Sequence, residues 1–232
     1  MGFIEDLESE VKGILHTGWN VRDGRQVPEP ETVSLGNDAV KLDGTVLYAD
    51  LAESTKLVKG YKWWFAAAVY KCYLRCAAKV IRKFNGTITA FDGDRIMAVY
   101  IGEGKDSDAA RTALAINHAV WQIINPQVEL KYPNSGYTLR QAVGVDTSVL
   151  HVARTGIRGS NDLVWVGNAA NSAAKLSSLR IDGGYASWVT KAVYDNMSDL
   201  VKISQTKRYM WEKPDWTVQG TTVYGSKWYW SA

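Results

Sequence analysis

Histidine, cysteine and proline are scarce in this chain: three, two and five among 232 residues. His16, His118 and His151 are scattered and share no ligand spacing, which removes the zinc sites built on that residue. Cys72 and Cys76 stand four apart in a helix-like segment, so they face one way and cannot form a framework of bridges. They read as buried core thiols in a reducing compartment. No run of about twenty apolar residues occurs, so no membrane-spanning helix is expected. The start Met1-Gly2-Phe3-Ile4-Glu5-Asp6 lacks the charged head and apolar stretch of a signal peptide, and a soluble cytoplasmic protein is expected. No Gly-x-x-x-x-Gly-Lys-Ser/Thr run exists, which excludes P-loop chemistry. The net charge is only +3, with no basic run or basic–aromatic stripe in the linear sequence, so no nucleic acid partner is expected. A weakly basic cleft would suit an anionic small molecule equally well.

What is present is an ordinary globular composition, 46% hydrophobic and 22% charged. The length suffices for one good core with a small appendage. Ten tryptophans are many, and they read as core and interface packing. Residues 3–15 have a helical period with a stripe at Leu7, Val11 and Leu15. Arg22 to Asn37, with Pro28 and Pro30, reads as an extended connector. These two pieces form residues 1–40, and a catalytic body spans 41–232.

Within that body, Val46 to Leu51 reads as a strand. Ser54 and Thr55 cap a long helix from Lys56 to Phe84, buried along Phe65, Val69, Cys72, Cys76, Val80 and Phe84. Asn85-Gly86 ends it. Thr87–Phe91 and Ile96–Ile101 are strands around Asp92-Gly93, a hairpin signal. Asp106 or Ser107 caps a second helix, which Asn125-Pro126 stops. Tyr137–Leu150 is a strand, Arg154–Asp162 a loop, Leu163–Val166 a strand, and Gly167-Asn168 opens a third helix running to about Ser178. Short elements around 187–196 and two C-terminal strands follow. Strand, helix, strand, strand, helix, strand is the split βαβ order of ferredoxin-like α+β domains.

That topology gives two aspartates a meaning. Asp50 closes the first strand and Asp94 lies in the turn after the second. Those strands run parallel and end at the same side of the sheet, so two carboxylates 44 residues apart can share a divalent metal. Such a site takes Mg²⁺ or Mn²⁺ with a few carboxylates plus substrate phosphates. Read alone, Asp92 and Asp94 are also simply good turn residues. A second cluster is Asn171 and Lys175, four apart on one helix face. Together they can hold a ribose and a phosphate, or form a solvated face.

These pieces resemble the class III nucleotidyl cyclases, the catalytic domains of adenylate and guanylate cyclases. The resemblance covers roughly residues 41 to 180. It rests on Val46-Leu47-Tyr48-Ala49-Asp50-Leu51-Ala52-Glu53-Ser54-Thr55, on Asn85-Gly86 with Phe91-Asp92-Gly93-Asp94-Arg95-Ile96-Met97-Ala98, and on Val166-Gly167-Asn168-Ala169-Ala170-Asn171 with Lys175. It implies that Asp50 and Asp94, with Leu51 beside them, hold two Mn²⁺ or Mg²⁺ ions, and that Ser54 and Thr55 adjoin the substrate. It implies that a ribose 3′-hydroxyl attacks the α-phosphate of its own nucleotide and expels pyrophosphate. Asn171 would orient the ribose, and Lys175 would take the place of the family's transition-state arginine, a point charge for a planar fork. It implies a head-to-tail homodimer in which the aspartates come from one chain and the Asn171/Lys175 helix from the other.

The base-reading positions depart from the family. Adenylate cyclases have lysine, and guanylate cyclases glutamate, four residues before the second metal aspartate; here that residue is Ala90. The partner position, usually Asp, Thr or Cys, is Val164. A site that has lost both hydrogen-bonding readers discriminates poorly for a purine. The chain is most similar to the stand-alone bacterial pyrimidine cyclases of Pycsar anti-phage systems, which signal to a separate effector. That likeness implies UTP as substrate and cyclic UMP as product, with CTP and cyclic CMP as the alternative. A non-catalytic nucleotide-binding module on the same fold is a further reading. A polymerase-like palm would need a primer–template surface that the mild charge does not favour.

Overall fold

A computed structural model describes residues 2–179, 184–218 and 220–231. The elements run in order as α1 (Phe3–His16), β1 (Asn20–Asp23), a 3₁₀ turn (Pro30–Thr32), β2 (Asp38–Leu51), α2 (Ser54–Gly60), α3 (Trp63–Lys83), β3 (Thr87–Asp92) and β4 (Arg95–Ile101). Next come α4 (Lys105–His118), a π-helical segment (Ala119–Ile124), α5 (Asn125–Lys131), β5 (Gln141–Ile157), β6 (Ser160–Val166) and α6 (Asn168–Ser177). The chain finishes with β7 (Ser187–Thr190), α7 (Lys191–Asn196), α8 (Asp199–Lys202), β8 (Thr217–Val218) and β9 (Thr221–Ser226). The chain divides into two units: Met1–Asp43 with Val149–Gly167, and Gly44–Ser148 with Asn168–Ala232.

The larger unit holds the strand order β3-β4-β2-β5-β7-β9-β8. Strand β4 is antiparallel to both β2 and β3, so β2 and β3 run the same way, as the split βαβ order requires. Its core packs Leu47, Leu51, Phe65, Tyr73, Ile81 and Ile96, all buried, between sheet and helices. Two buried carboxylates, Asp106 and Asp146, accept hydrogen bonds from threonines. Thr45 Oγ1 donates to Asp106 Oδ1 at 2.7 Å, and Thr190 Oγ1 donates to Asp146 Oδ1 at 2.6 Å.

In the smaller unit β1 pairs in parallel with the start of β2, and β6 pairs antiparallel with the end of β5. Val33, Val40, Leu42 and Val152 form its core, with Leu163 and Trp165 packed against it. Asn37 Nδ2 donates to the carbonyls of Ile14 and Thr17, fixing the exit of α1. The stripe Leu7, Val11 and Leu15 does form on that helix, but it is exposed.

Six local expectations are corrected. The helix expected from Lys56 to Phe84 is two helices, because Tyr61 and Lys62 are extended and the chain restarts at Trp63. Glu53 in left-handed backbone is the N-cap of the first of them, and Ser54 is already helical. The buried face of α3 is Phe65, Ala66, Val69, Tyr73, Ala77 and Ile81. The expected stripe is displaced by one residue after Val69, so Cys72 is exposed and Cys76 half-buried rather than core thiols. Two adjacent stripes run along this helix; the core takes the one with Ala77, which is fully buried, and Cys76 packs at its margin.

Asn125-Pro126 does not stop the second long helix. The π-helical turn before it lets the chain pass into α5, where proline sits in the first turn and needs no N–H acceptor. Its start is at Gly104, not at Asp106 or Ser107. Finally, Arg154–Asp162 is no loop. It is the hairpin of β5 and β6, with Ile157 opposite Ser160 and with Arg154 Nε donating to Asn161 Oδ1 at 2.7 Å. Its polar composition reflects an exposed ribbon rather than the lack of one.

Candidate functional site

The β3–β4 hairpin sets the first half of the site. Gly93 takes φ +58° in the turn, which leaves Asp94 as the last residue before β4. In the ladder between β2 and β4, Asp50 lies directly across from Arg95. The Leu51 amide donates to the Asp94 carbonyl at 3.4 Å. The fold therefore joins the strand end carrying Asp50 and Leu51 to the turn carrying Asp94. Asp50 is buried, with 5% of its surface exposed, and Asp94 is half-buried. Such burial is costly for a carboxylate unless a cation offsets it. Arg95 Nε stands 3.6 Å from Asp50 Oδ1.

Among the described residues no group of three or more His, Cys, Asp or Glu side chains could hold a metal ion. Two carboxylates at one strand end nonetheless form a hard-oxygen donor set. It suits Mg²⁺ or Mn²⁺ of the kind completed by substrate phosphates, and not a closed protein cage. Ser54 and Thr55 follow at the first turn of α2.

Two neighbours of Asp50 escaped sequence reasoning. Tyr48 lies two residues earlier and so on the same face of β2. Burial pushes its phenol above the ordinary value, and the Arg95 cation opposes that shift. The i, i+2 rule applied to Asp50 would have found Tyr48, whereas Arg95 is placed by the register of β2 against β4.

Ala90 sits just after an irregularity in the β3–β4 register, opposite Met97. It lines a cleft of about 610 Å³ with Ile88 and Phe91, walled by Arg75, Lys79 and Arg82 of α3. The linear sequence contains no basic stripe. Helical spacing makes one, because these cations stand four and three residues apart on the exposed face of α3.

The second half of the expected site lies on α6. This helix buries Ala169, Ala170, Ala173 and Leu176 and exposes both Asn171 and Lys175, one turn apart. Its seat is Gly144 on β5, where an added Cβ would stand 2.2 Å from the Ala173 carbonyl and 2.5 Å from the Leu176 Cβ. Only glycine allows that approach. The Ala169 amide donates to Ser148 Oγ at 3.1 Å and anchors the helix start. Val164, in the smaller unit, is paired with Ala153 on β6 and is 40% exposed, whereas its neighbours Leu163 and Trp165 pack inward. Asn171, Lys175 and Val164 thus all present themselves to solvent in a single protomer.

No family model matches the chain. Curated relatives match it end to end. The uridylate cyclase of Xanthomonas perforans is 46% identical over 99% of both chains. That of Burkholderia cepacia is 43% identical over the whole of both. That of a Rhodovulum species is 41% identical over 99% of this chain and 98% of its own. Among solved structures, an adenylyl cyclase from P. aeruginosa superimposes with a TM-score of 0.64 over 81% of this chain and 95% of its own, at 20% identity. A guanylyl cyclase gives 0.66 over 82% and 93%, at 19% identity. Fold and full-length sequence therefore agree: the chain belongs to the nucleotidyl cyclases, in the family of the bacterial uridylate cyclases.

Proposed function

We propose that this enzyme converts UTP to 3′,5′-cyclic UMP and pyrophosphate in the cytoplasm, as a messenger of anti-phage defence acting on a separate effector. The observation that carries the reading is the junction of the Asp50 strand end with the Asp94 turn. The choice of UTP is supported by the full-length relatives that bear the name uridylate cyclase. It also draws on Ala90 and Val164 standing where purine cyclases carry hydrogen-bonding readers.

Asp50 and Asp94, with Leu51 beside them, would hold two Mg²⁺ or Mn²⁺ ions. Bound there, they would supply charge that acidifies the 3′-hydroxyl and neutralises the triphosphate. The hydroxyl proton passes to solvent as the O3′–Pα bond forms and the bond from Pα to the β-phosphate oxygen breaks, and pyrophosphate leaves with that electron pair. Asn171 orients the ribose. Lys175 offsets the charge that grows on the α-phosphate as the bonds exchange. Ser54 and Thr55, at the first turn of α2, adjoin the phosphates.

Asn171 and Lys175 face solvent in the protomer, which fits a site completed by a second copy. In a symmetric head-to-tail homodimer each of two sites takes its aspartates from one chain and its α6 from the other. Exposed Phe91, Val164 and Val166 supply apolar surface for such an interface.

Lys175 in place of arginine favours a second reading, a nucleotide-binding module without turnover. Measuring pyrophosphate release from UTP with Mn²⁺ separates the two. The enzyme releases pyrophosphate in step with UTP consumed, and EDTA stops it. Binding of UTP with no pyrophosphate released would establish the module instead.

A further inference from the structure

Tyr61 and Lys62 join α2 to α3, and residues 132–135 follow α5. These two segments line a cavity of about 280 Å³. Its walls are aromatic. Tyr61 stacks on Phe65 at 4.9 Å between centroids, Tyr132 meets Phe65 edge-on at 5.1 Å, and Trp64 tilts against Tyr132 at 5.9 Å. The Tyr61 hydroxyl donates to the Ser135 carbonyl at 3.2 Å and ties the two segments together. Tyr137 backs the wall, packing on both Tyr61 and Phe65, and its hydroxyl is buried with no hydrogen-bond partner.

Trp64 is 48% exposed, so a ring face remains that the core does not use. The polar lining is short: Lys62, Asn134 and Ser135. Lys62 enters none of the ion pairs among the described residues. It is also the N-cap of α3, whose first turn carries no acid and no side-chain cap. The first N–H groups of that 21-residue helix lack intrahelical acceptors, and its dipole adds positive potential beside the ammonium.

We propose that this cavity binds a pyrimidine nucleotide at a site distinct from the junction of Asp50 and Asp94, with the base stacked on Trp64 and the phosphate held by Lys62. Aromatic faces select a planar ring, and one lysine at a helix start selects an anion. The volume, about 280 Å³, lies near the lower end of small-molecule sites, about 300–1,000 Å³, so a small ligand is favoured over a large one. That the base is a pyrimidine rests on the proposed uridylate cyclase activity; the ring-plus-phosphate chemistry stands on the cavity itself.

Calorimetric titration with cyclic UMP tests it, using the full chain carrying Asp50→Ala and the same chain with Trp64→Ala or Lys62→Ala added. Trp64 and Lys62 are both exposed, so neither change opens the core. Cyclic UMP should bind the Asp50→Ala chain, and either added substitution should weaken it about tenfold or more. Uridine and inorganic phosphate should each bind more weakly than the whole nucleotide. Binding indifferent to both Trp64 and Lys62 overturns the site, as does no binding at all, which would leave the rings to a protein partner. A wild-type chain that makes cyclic UMP while binding ignores Trp64 refutes only this cavity. One that binds nucleotide through Trp64 but makes no cyclic product refutes only the activity.

Discussion

Asp50 is buried with Arg95 Nε 3.6 Å away, so neutralising it removes a charge beside Arg95 as well as a proposed metal ligand. Asp50→Ala or Asp94→Ala should therefore cut turnover about a thousandfold or more, the scale of losing several kcal/mol of charge stabilisation. A steady-state assay with Mn²⁺ checks it, and substantial residual activity would remove both residues from the metal set. In the proposed mechanism Lys175 contributes only as charge develops. Lys175→Ala should thus lower kcat about 10²–10³-fold with KM little changed, whereas loss confined to KM would make it a binding residue. At this scale the sequence was most legible where chemistry is carried by rare combinations: an aspartate at a strand end, and another after the glycine of a hairpin. It was least legible for Arg95 and Tyr48, whose place beside Asp50 depends on strand register, and for Arg75, Lys79 and Arg82, which align only once a helix winds.

Among the elements, α6 depends on one residue of another strand. At Gly144 the helix backbone approaches so closely that a methyl group would overlap the Ala173 carbonyl. Gly144→Ala should destabilise the protein by about 1–3 kcal/mol, the usual cost of overpacking. It should also lower turnover by shifting Asn171 and Lys175; thermal melting and kcat measured on one sample check both.

The β1 edge depends on a carboxylate. Asp38 accepts from Arg22 Nη1 at 2.8 Å, from the Ser34 amide at 3.2 Å and from Asn20 Nδ2 at 3.1 Å. These contacts, the Arg22 bond foremost, hold its carboxyl below the ordinary 3.8. A carboxylate lowered in the fold contributes stability that is present above the unfolded value and lost as pH falls through the folded one. Amide exchange in Asn20–Asp23 should accordingly quicken below about pH 3.8 relative to the rest of the sheet, and Asp38→Asn should show that faster exchange already at neutral pH. Helix and strand identity followed from hydrophobic period, but their limits did not. The break at Tyr61 follows Gly60, a single glycine inside an otherwise helical pattern, and the passage through Pro126 needs a π-helical turn that no local signal marks.

For the whole molecule, Asp50 is buried and Asp94 half-buried at one strand end while Asn171 and Lys175 are exposed on α6, and a single sequence could not reveal whether the two groups meet across chains. Mixing two inactive variants addresses this. Asp50→Ala and Asn171→Ala chains combined in equal amounts form half hybrid dimers with one intact site each, so activity should return to about a quarter of wild type. No recovery after subunit exchange would mean that each chain builds its site alone. The identity of the substrate lies at the same scale, since the proposed base pocket would be built by two chains. The most direct measurement is chromatography and mass spectrometry of the products after incubating the enzyme with Mn²⁺ and, separately, UTP, CTP, ATP and GTP. The account predicts 3′,5′-cyclic UMP with pyrophosphate as the dominant product, and cyclic AMP or cyclic GMP alone would contradict it.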